Sequence, residues 1–82
     1  MSSRCTVDAP DAFAAFVLAR RIDPLASGAD IVPTQAGFRV SIDAHDDDLA
    51  HVLEVVQAWM DEERIRRTTV RYAGRAQLLE AA

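Results

Sequence analysis

The sequence contains a single cysteine, no lysine and no asparagine, and aromatic residues make up 6% of its 82 residues. One cysteine, Cys5, excludes an intramolecular disulfide and a cluster of thiolate metal ligands within one chain. We therefore expect a reducing compartment, the cytoplasm. No apolar run approaches the ~18 residues that a transmembrane helix needs. The run at residues 12–18 is preceded by aspartates and followed by arginines, which is atypical of a signal peptide.

The charge is also one-sided: acidic residues exceed basic ones, all of the basic residues are arginine, and the formal net charge is −4 at pH 7. Binding to nucleic acid or to anionic lipid depends on an excess of cations, so we expect neither as a partner. Half of the residues are hydrophobic. That proportion is typical of an ordinary globular protein, and we expect residues 1–82 to form one domain with one core.

Three segments alternate apolar and polar residues with the period of a β-strand: residues 4–7, 38–43 and 68–72. The first is closed by a predicted DAPD turn at residues 8–11. Residues 29–34 are apolar as well, but Pro33 cannot donate a ladder hydrogen bond, so we expect an edge strand there. A three-residue loop, QAG, with Gly37 in a left-handed conformation, is expected to join it to the next strand. Residues 74–82 fit either a short strand or a helical turn.

Two segments carry apolar residues at the three- and four-residue spacing of an amphipathic helix. The first is predicted from about Pro10 to Ile22, and the Asp23-Pro24 pair ends it. Its apolar stripe contains Phe13, Ala14, Val17 and Leu18. The second is predicted from about Asp47 to Glu63, with a stripe of Leu49, Val52, Leu53, Val56, Trp59 and Met60.

The resulting order is strand, helix, strand, strand, helix, strand. With right-handed crossovers, it predicts an α+β fold of the ferredoxin-like βαββαβ type. Two helices would cover one face of a four-stranded antiparallel sheet in the order 4-1-3-2. A short C-terminal fifth strand is possible.

Residues 45–51, HDDDLAH, combine two histidines with three aspartates, side chains that ligate metals and carry protons. Carboxylates also stabilise a helix N-terminus, and we interpret this motif as a helix start with Asp46 as the cap. The weak metal candidates are His51, Asp47 and His45, of which only the first two have a defined spacing. A metal site needs three or four converging ligands, so we expect neither a metal nor a cofactor.

The sheet face that the helices leave uncovered is predicted to carry Arg4, Arg39 and Arg71 on three neighbouring strands. One interpretation is an ordinary solvated face. The other is a docking surface for a protein partner, a phosphate group or a second copy of the chain, because guanidinium groups bind carboxylates and phosphates. Trp59, at the edge of its stripe, is expected either at the core margin or partly exposed at an oligomer contact.

Motifs of catalysis are missing: the sequence has no nucleophile elbow, P-loop, dinucleotide-binding glycine fingerprint or paired-cysteine motif. Cys5 is predicted to face the core. We therefore expect that the protein is not an enzyme.

The stretch TVDAPDAF, residues 6–13, resembles the strand-to-helix turn of ACT-type regulatory domains, in which a proline and a glycine begin the first helix. Asp11 stands at the glycine position. The resemblance implies a small-molecule pocket beside this turn.

These observations favour a small non-catalytic protein-interaction or regulatory module, acting as a homodimer or docking on a protein partner through its open sheet face. The alternative is a regulatory domain that senses a small ligand, as ACT-type domains do, or a metal. Partner-binding candidates are Arg4, Arg39, Arg71 and Trp59.

Overall fold

The computed structural model describes residues 2–24 and 27–81. These residues form five β-strands, two α-helices and one short 3₁₀ helix at Asp46–Asp48. The elements are β1 (Ser2–Ala9), α1 (Ala12–Ile22), β2 (Ser27–Thr34), β3 (Gly37–His45), α2 (Leu49–Glu63), β4 (Arg67–Tyr72) and β5 (Arg75–Glu80). The loop expected before the second strand falls partly on residues 25 and 26, outside the described residues, and Ser27 already belongs to β2.

The strands form one antiparallel sheet in the order β2-β3-β1-β4-β5. The α+β class is confirmed. The expected four-stranded sheet is wrong, because residues 75–80 pair along the outer edge of β4 as a full fifth strand and the order becomes 5-4-1-3-2 instead of 4-1-3-2. Of the two alternatives for the C-terminal segment, the structure therefore has the strand.

Strand alternation sorts the side chains as the sequence predicts. Cys5 and Val7 of β1 are fully buried, together with Val40 and Ile42 of β3, and they belong to the same core as the buried side chains of both helices. Arg4 lies on the opposite face and is exposed. Both helices consequently pack on one side of the sheet, and the other side is left open.

Trp59 joins the two helices. It is fully buried, and its indole Nε1 donates a hydrogen bond to the carbonyl oxygen of Ala14 over 2.9 Å. A buried indole needs such a partner for its N–H. The alternative in which Trp59 is partly exposed at an oligomer contact is therefore wrong, and this side chain presents no surface to a partner.

The buried stripe of α1 differs from the predicted one. Phe13 was expected in the core, but 69% of its surface is exposed, and the buried positions are Ala14, Ala15, Leu18 and Ile22. Trp59 provides the physical reason: two alanines leave room for its large indole, whereas a phenylalanine on that side of α1 would compete for the same space.

Two tight turns set the sheet register. Thr34 pairs with Gly37, so the turn between β2 and β3 contains two residues and not the expected three. Gly37 has a φ of 146°, and a Cβ atom there would lie 2.6 Å from the Ala9 carbonyl oxygen, so only glycine fits. The turn between β4 and β5 has positive φ at both Ala73 and Gly74, the conformation that matches the twist of a two-residue hairpin.

Candidate functional site

The side of the sheet opposite the helices is uncovered, and we call it the open face. Residues paired across antiparallel strands point to the same side of a sheet, so the register defines its members. Thr6 of β1, for example, lies opposite Ser41 of β3 and Arg71 of β4. The open face consists of Arg4, Thr6, Asp8, Asp30, Val32, Thr34, Arg39, Ser41, Asp43, Arg67, Thr69, Arg71, Ala76, Leu78 and Glu80.

A carboxylate, Asp8, lies at the centre of the predicted arginine cluster. Its Oδ1 is 3.2 Å from Nε of Arg39 on β3, and its Oδ2 is 3.2 Å from Nη1 of Arg71 on β4. We call this three-strand arrangement the Asp8 ladder. It ties together the three central strands from the open side, and each of its side chains remains more than one third exposed.

The third predicted arginine is paired too. Arg4 Nε lies 3.5 Å from Oδ1 of Asp43 on the neighbouring strand, and both side chains are about half exposed. The three predicted arginines therefore lie on one face, but the sequence pattern did not indicate the carboxylates that pair with them. With Arg67, Asp30 and Glu80 included, the open face carries four arginines and four carboxylates and is formally neutral. It is not the basic patch that the arginines alone suggested.

Two further features of the open face are not electrostatic. Val32 on β2 and Leu78 on β5 are 46% and 53% exposed and lie at opposite edges of the sheet. Between them, the Thr6 Oγ1 atom is buried and has no hydrogen-bond partner among the described residues. Unpaired buried hydroxyls are uncommon, and this one lies beneath the neighbouring side chains of the open face.

The HDDDLAH motif begins a helix, but not in the predicted way. Its three aspartates form the 3₁₀ turn, and neither His45 nor Asp48 makes a side-chain capping hydrogen bond. The prediction of Asp46 as the cap is wrong, because its carboxylate instead accepts a hydrogen bond from the Tyr72 hydroxyl of β4. That hydrogen bond raises the pKa of Tyr72, since it favours the protonated phenol.

The weak metal candidates do not converge. His45, Asp47 and His51 are all exposed. Within residues 2–24 and 27–81, no group of three or more histidine, cysteine, aspartate or glutamate side chains is arranged to hold a metal ion. Two ligands on an exposed helix surface bind a metal weakly, so this motif is best explained as the start of α2.

Cys5 has the properties of a core residue. It is fully buried, and desolvation raises the pKa of its thiol to about 11. The nucleophilic form of cysteine is the thiolate, which is scarce at neutral pH when the pKa is that high. The side chain therefore contributes packing and no reactivity.

The strand-to-helix turn DAPDAF, residues 8–13, contains the side chain that caps the helix after it. Asp11 caps α1, and its Oδ1 accepts a hydrogen bond from the Ala14 backbone N–H over 2.8 Å. An anionic ligand at this helix N-terminus would compete with the Asp11 carboxylate for the same donor. A cavity of about 260 Å³ does lie beside this turn, lined in part by Asp8, Ala9 and Pro10, so the small-molecule pocket implied by the ACT-type resemblance stays a prediction.

A cavity lies on the helix side, between α2 and the β4–β5 hairpin. Its volume is about 490 Å³, and apolar side chains form much of its wall. The lining residues are Leu49, Leu53, Val70, Tyr72, Ala73, Arg75 and Gln77. No sequence pattern pointed to it, because it exists only where β5 extends beyond the helices.

Comparison of the chain with protein-family models, with curated proteins and with solved structures finds no match. Neither helix is long and apolar enough to cross a membrane, as judged over the part of the chain that the structure describes.

We predict that Asp8→Asn lowers the free energy of unfolding by about 1 kcal/mol at low ionic strength, because two guanidinium groups lose their shared counter-ion. Urea unfolding in low and high salt measures this change, and the loss should shrink in high salt. Asp43→Asn, which removes one arginine partner, is the matched control and should cost less. Equal stability of Asp8→Asn and wild type at low ionic strength would show that the ladder does not stabilise the sheet.

Proposed function

We propose that this chain is a small non-catalytic protein-interaction module that docks on a protein partner through its open face. The observation that carries the proposal is a five-stranded sheet with one side left uncovered by the helices. Antiparallel sheets tolerate one solvated face, so openness alone is not sufficient. The composition of this face provides the further support.

The face has the composition of a protein-binding surface. Exposed Val32 and Leu78 supply apolar area near its edges, and the Asp8 ladder supplies arginines already held in place by a carboxylate. Arginine is enriched at interfaces, and ordered ion pairs reduce the entropy lost when a partner binds.

The balance of arginines and carboxylates on the open face indicates which class of partner it suits. A formally neutral face of interspersed arginines and carboxylates lacks the excess of cations on which phosphate-backbone binding depends. It also lacks exposed aromatic side chains on which nucleic-acid bases would stack. A protein surface with a similar mixture of charges is the complementary partner.

The fold inference that accompanies this proposal is a ferredoxin-like path with one added strand. In the observed sheet, β1 lies between β3 and β4, and β2 lies beside β3. These neighbours support the path for the first four strands, and β5 extends the sheet beyond β4.

We predict that Val32→Asp weakens capture of a protein partner at least tenfold, because a carboxylate then replaces apolar area on the open face. Ile31→Asp is the matched control: Ile31 is adjacent on the same strand and 37% exposed, but it points to the helix side. Immobilised wild-type and variant chains would be compared for proteins captured from an extract of the native host, by quantitative mass spectrometry. The open-face proposal is wrong if both variants retain the same captured proteins as wild type.

The cavity on the helix side supports a second candidate function, sensing of a small apolar molecule that carries an acidic group. Leu49, Leu53 and Val70 form apolar walls. Arg75 lines the same cavity and has no carboxylate within ion-pair distance among the described residues. An unpaired guanidinium beside apolar walls suits a carboxylic acid with a hydrocarbon body.

Thermal melting with a panel of aliphatic and aromatic carboxylic acids tests this second candidate. A ligand at 100 times its dissociation constant should add about 2.7 kcal/mol of stability, and Arg75→Gln should reduce the shift. Arg66→Gln, at an exposed arginine outside the cavity, is the control. An absence of stabilisation by every acid in the panel would remove the candidate.

A further inference from the structure

The two edges of the sheet are protected to different degrees. The β2 edge contains Pro33 and an irregular register between Ser27 and Asp30, and both features hinder the addition of another strand. The β5 edge pairs with β4 in unbroken register from Arg75 to Glu80, with neither proline nor glycine. An unprotected edge of this kind is a template for strand pairing.

The hydrogen-bond pattern identifies which backbone groups of β5 point away from β4. Ala81 N–H donates to the Arg66 carbonyl over 2.7 Å. Because hydrogen-bonded and non-bonded pairs alternate in an antiparallel ladder, Gln77 and Leu79 also direct their backbone groups toward β4. Ala76, Leu78 and Glu80 therefore direct theirs away from the sheet, and their side chains lie on the open face.

We propose that two copies of this chain associate by antiparallel pairing of their β5 strands, with Leu78 opposite the partner's Leu78 on a two-fold axis. This register places every outward-directed backbone group of β5 opposite another one. It forms about six hydrogen bonds, two for each pair of facing residues. The product is a continuous ten-stranded sheet with the helices of both copies on one side.

Side chains fit this register on the open face. Leu78, which is 53% exposed in one copy, contacts its own counterpart and is covered. Glu80 falls opposite the partner's Ala76, whose small side chain leaves room for the partner's Arg71 to approach from the next strand. On its other side Glu80 faces Arg67 of its own β4, so charges of opposite sign alternate along the row.

On the helix side, Gln77 falls opposite the partner's Leu79. The Gln57 side chain already donates to the Glu80 carbonyl oxygen over 3.0 Å, and it lies close to the pairing edge. A carbonyl oxygen accepts two hydrogen bonds, so that contact leaves one lone pair for the partner strand. It also holds β5 in place before pairing.

This association goes beyond the docking function proposed above and does not depend on it. Edge pairing covers Leu78 but leaves the rest of the open face of each copy uncovered, and it joins the two faces into one wider surface. Val32 lies on β2, at the far edge from β5. Val32→Asp therefore tests face docking without altering the dimer, and the two proposals fail separately.

Sedimentation equilibrium of the full chain over a range of concentrations tests the proposal. We expect a reversible monomer–dimer equilibrium in wild type. Leu78→Pro should weaken it roughly thirtyfold or more, because the two central N–H donors are lost. The N–H at position 78 does not bond to β4, so the hairpin is retained, and far-UV circular dichroism checks this. The Leu78→Thr variant keeps the N–H, so its dimer should dissociate less than that of Leu78→Pro.

A thiol scan tests the register. Cys5 is buried, so a substituted cysteine is the accessible thiol, and facing residues of a bonded pair have Cα atoms about 5.5 Å apart, within disulfide range. Leu78→Cys should form a disulfide-linked dimer on mild oxidation, whereas Gln77→Cys and Val32→Cys should not. The proposal is overturned by a wild-type chain that stays monomeric, by a dimer that Leu78→Pro leaves intact, or by equal cross-linking at all three positions.

Discussion

The structure depends on a mismatch of widths: two helices pack on a sheet of five strands. Strands lie about 4.8 Å apart, so five of them span about 24 Å, whereas two packed helices cover about 20 Å. The helices therefore leave about one strand width of the sheet uncovered, and the uncovered strand is β5. All of its residues except Leu79 are exposed, although β5 pairs with β4 along its whole length.

Each candidate surface follows from this mismatch. The cavity beside Leu53 and Arg75 lies where β5 extends past α2, and the free backbone groups at Leu78 lie on its outer edge. The open face arises from the same arrangement, because both helices are needed on one side to cover the core. The buried Trp59, bonded to Ala14, holds the helices close together and so limits the width that they cover.

Sequence periodicity predicted which side of each central strand is buried, because apolar and polar residues alternate along these strands. Cys5 and Val7 of β1 face the core, whereas Arg39 of β3 faces the open side. It did not predict the counter-ion of the arginines. Asp8 was assigned to a turn, and it becomes a strand residue only because β1 continues to Ala9, which pairs with Phe38 of β3. The end of β1 is therefore determined by pairing with a strand that is distant in sequence. The residues around Asp8 do not by themselves indicate that pairing.

The other errors have similar causes. The β5 segment lacks β-branched residues, so its strand conformation is imposed by pairing with β4 through the Ala73-Gly74 turn. Asp46 was predicted as a helix cap, but Tyr72, 26 positions away, donates to its carboxylate. Phe13 fits a helical stripe, but the Trp59 indole occupies the space available on that side of α1. Local propensity is outweighed in each case by a contact between distant residues.

The central claim, that β5 is a surplus strand with a free outer edge, is tested most directly by residue-resolved amide hydrogen exchange at two protein concentrations. In dilute solution the N–H groups of Ala76, Leu78 and Glu80 should exchange fast while those of Gln77 and Leu79 are protected, and at high concentration the first three should become protected. Uniform protection of all five at both concentrations would contradict the account, because β5 would then lack a free edge.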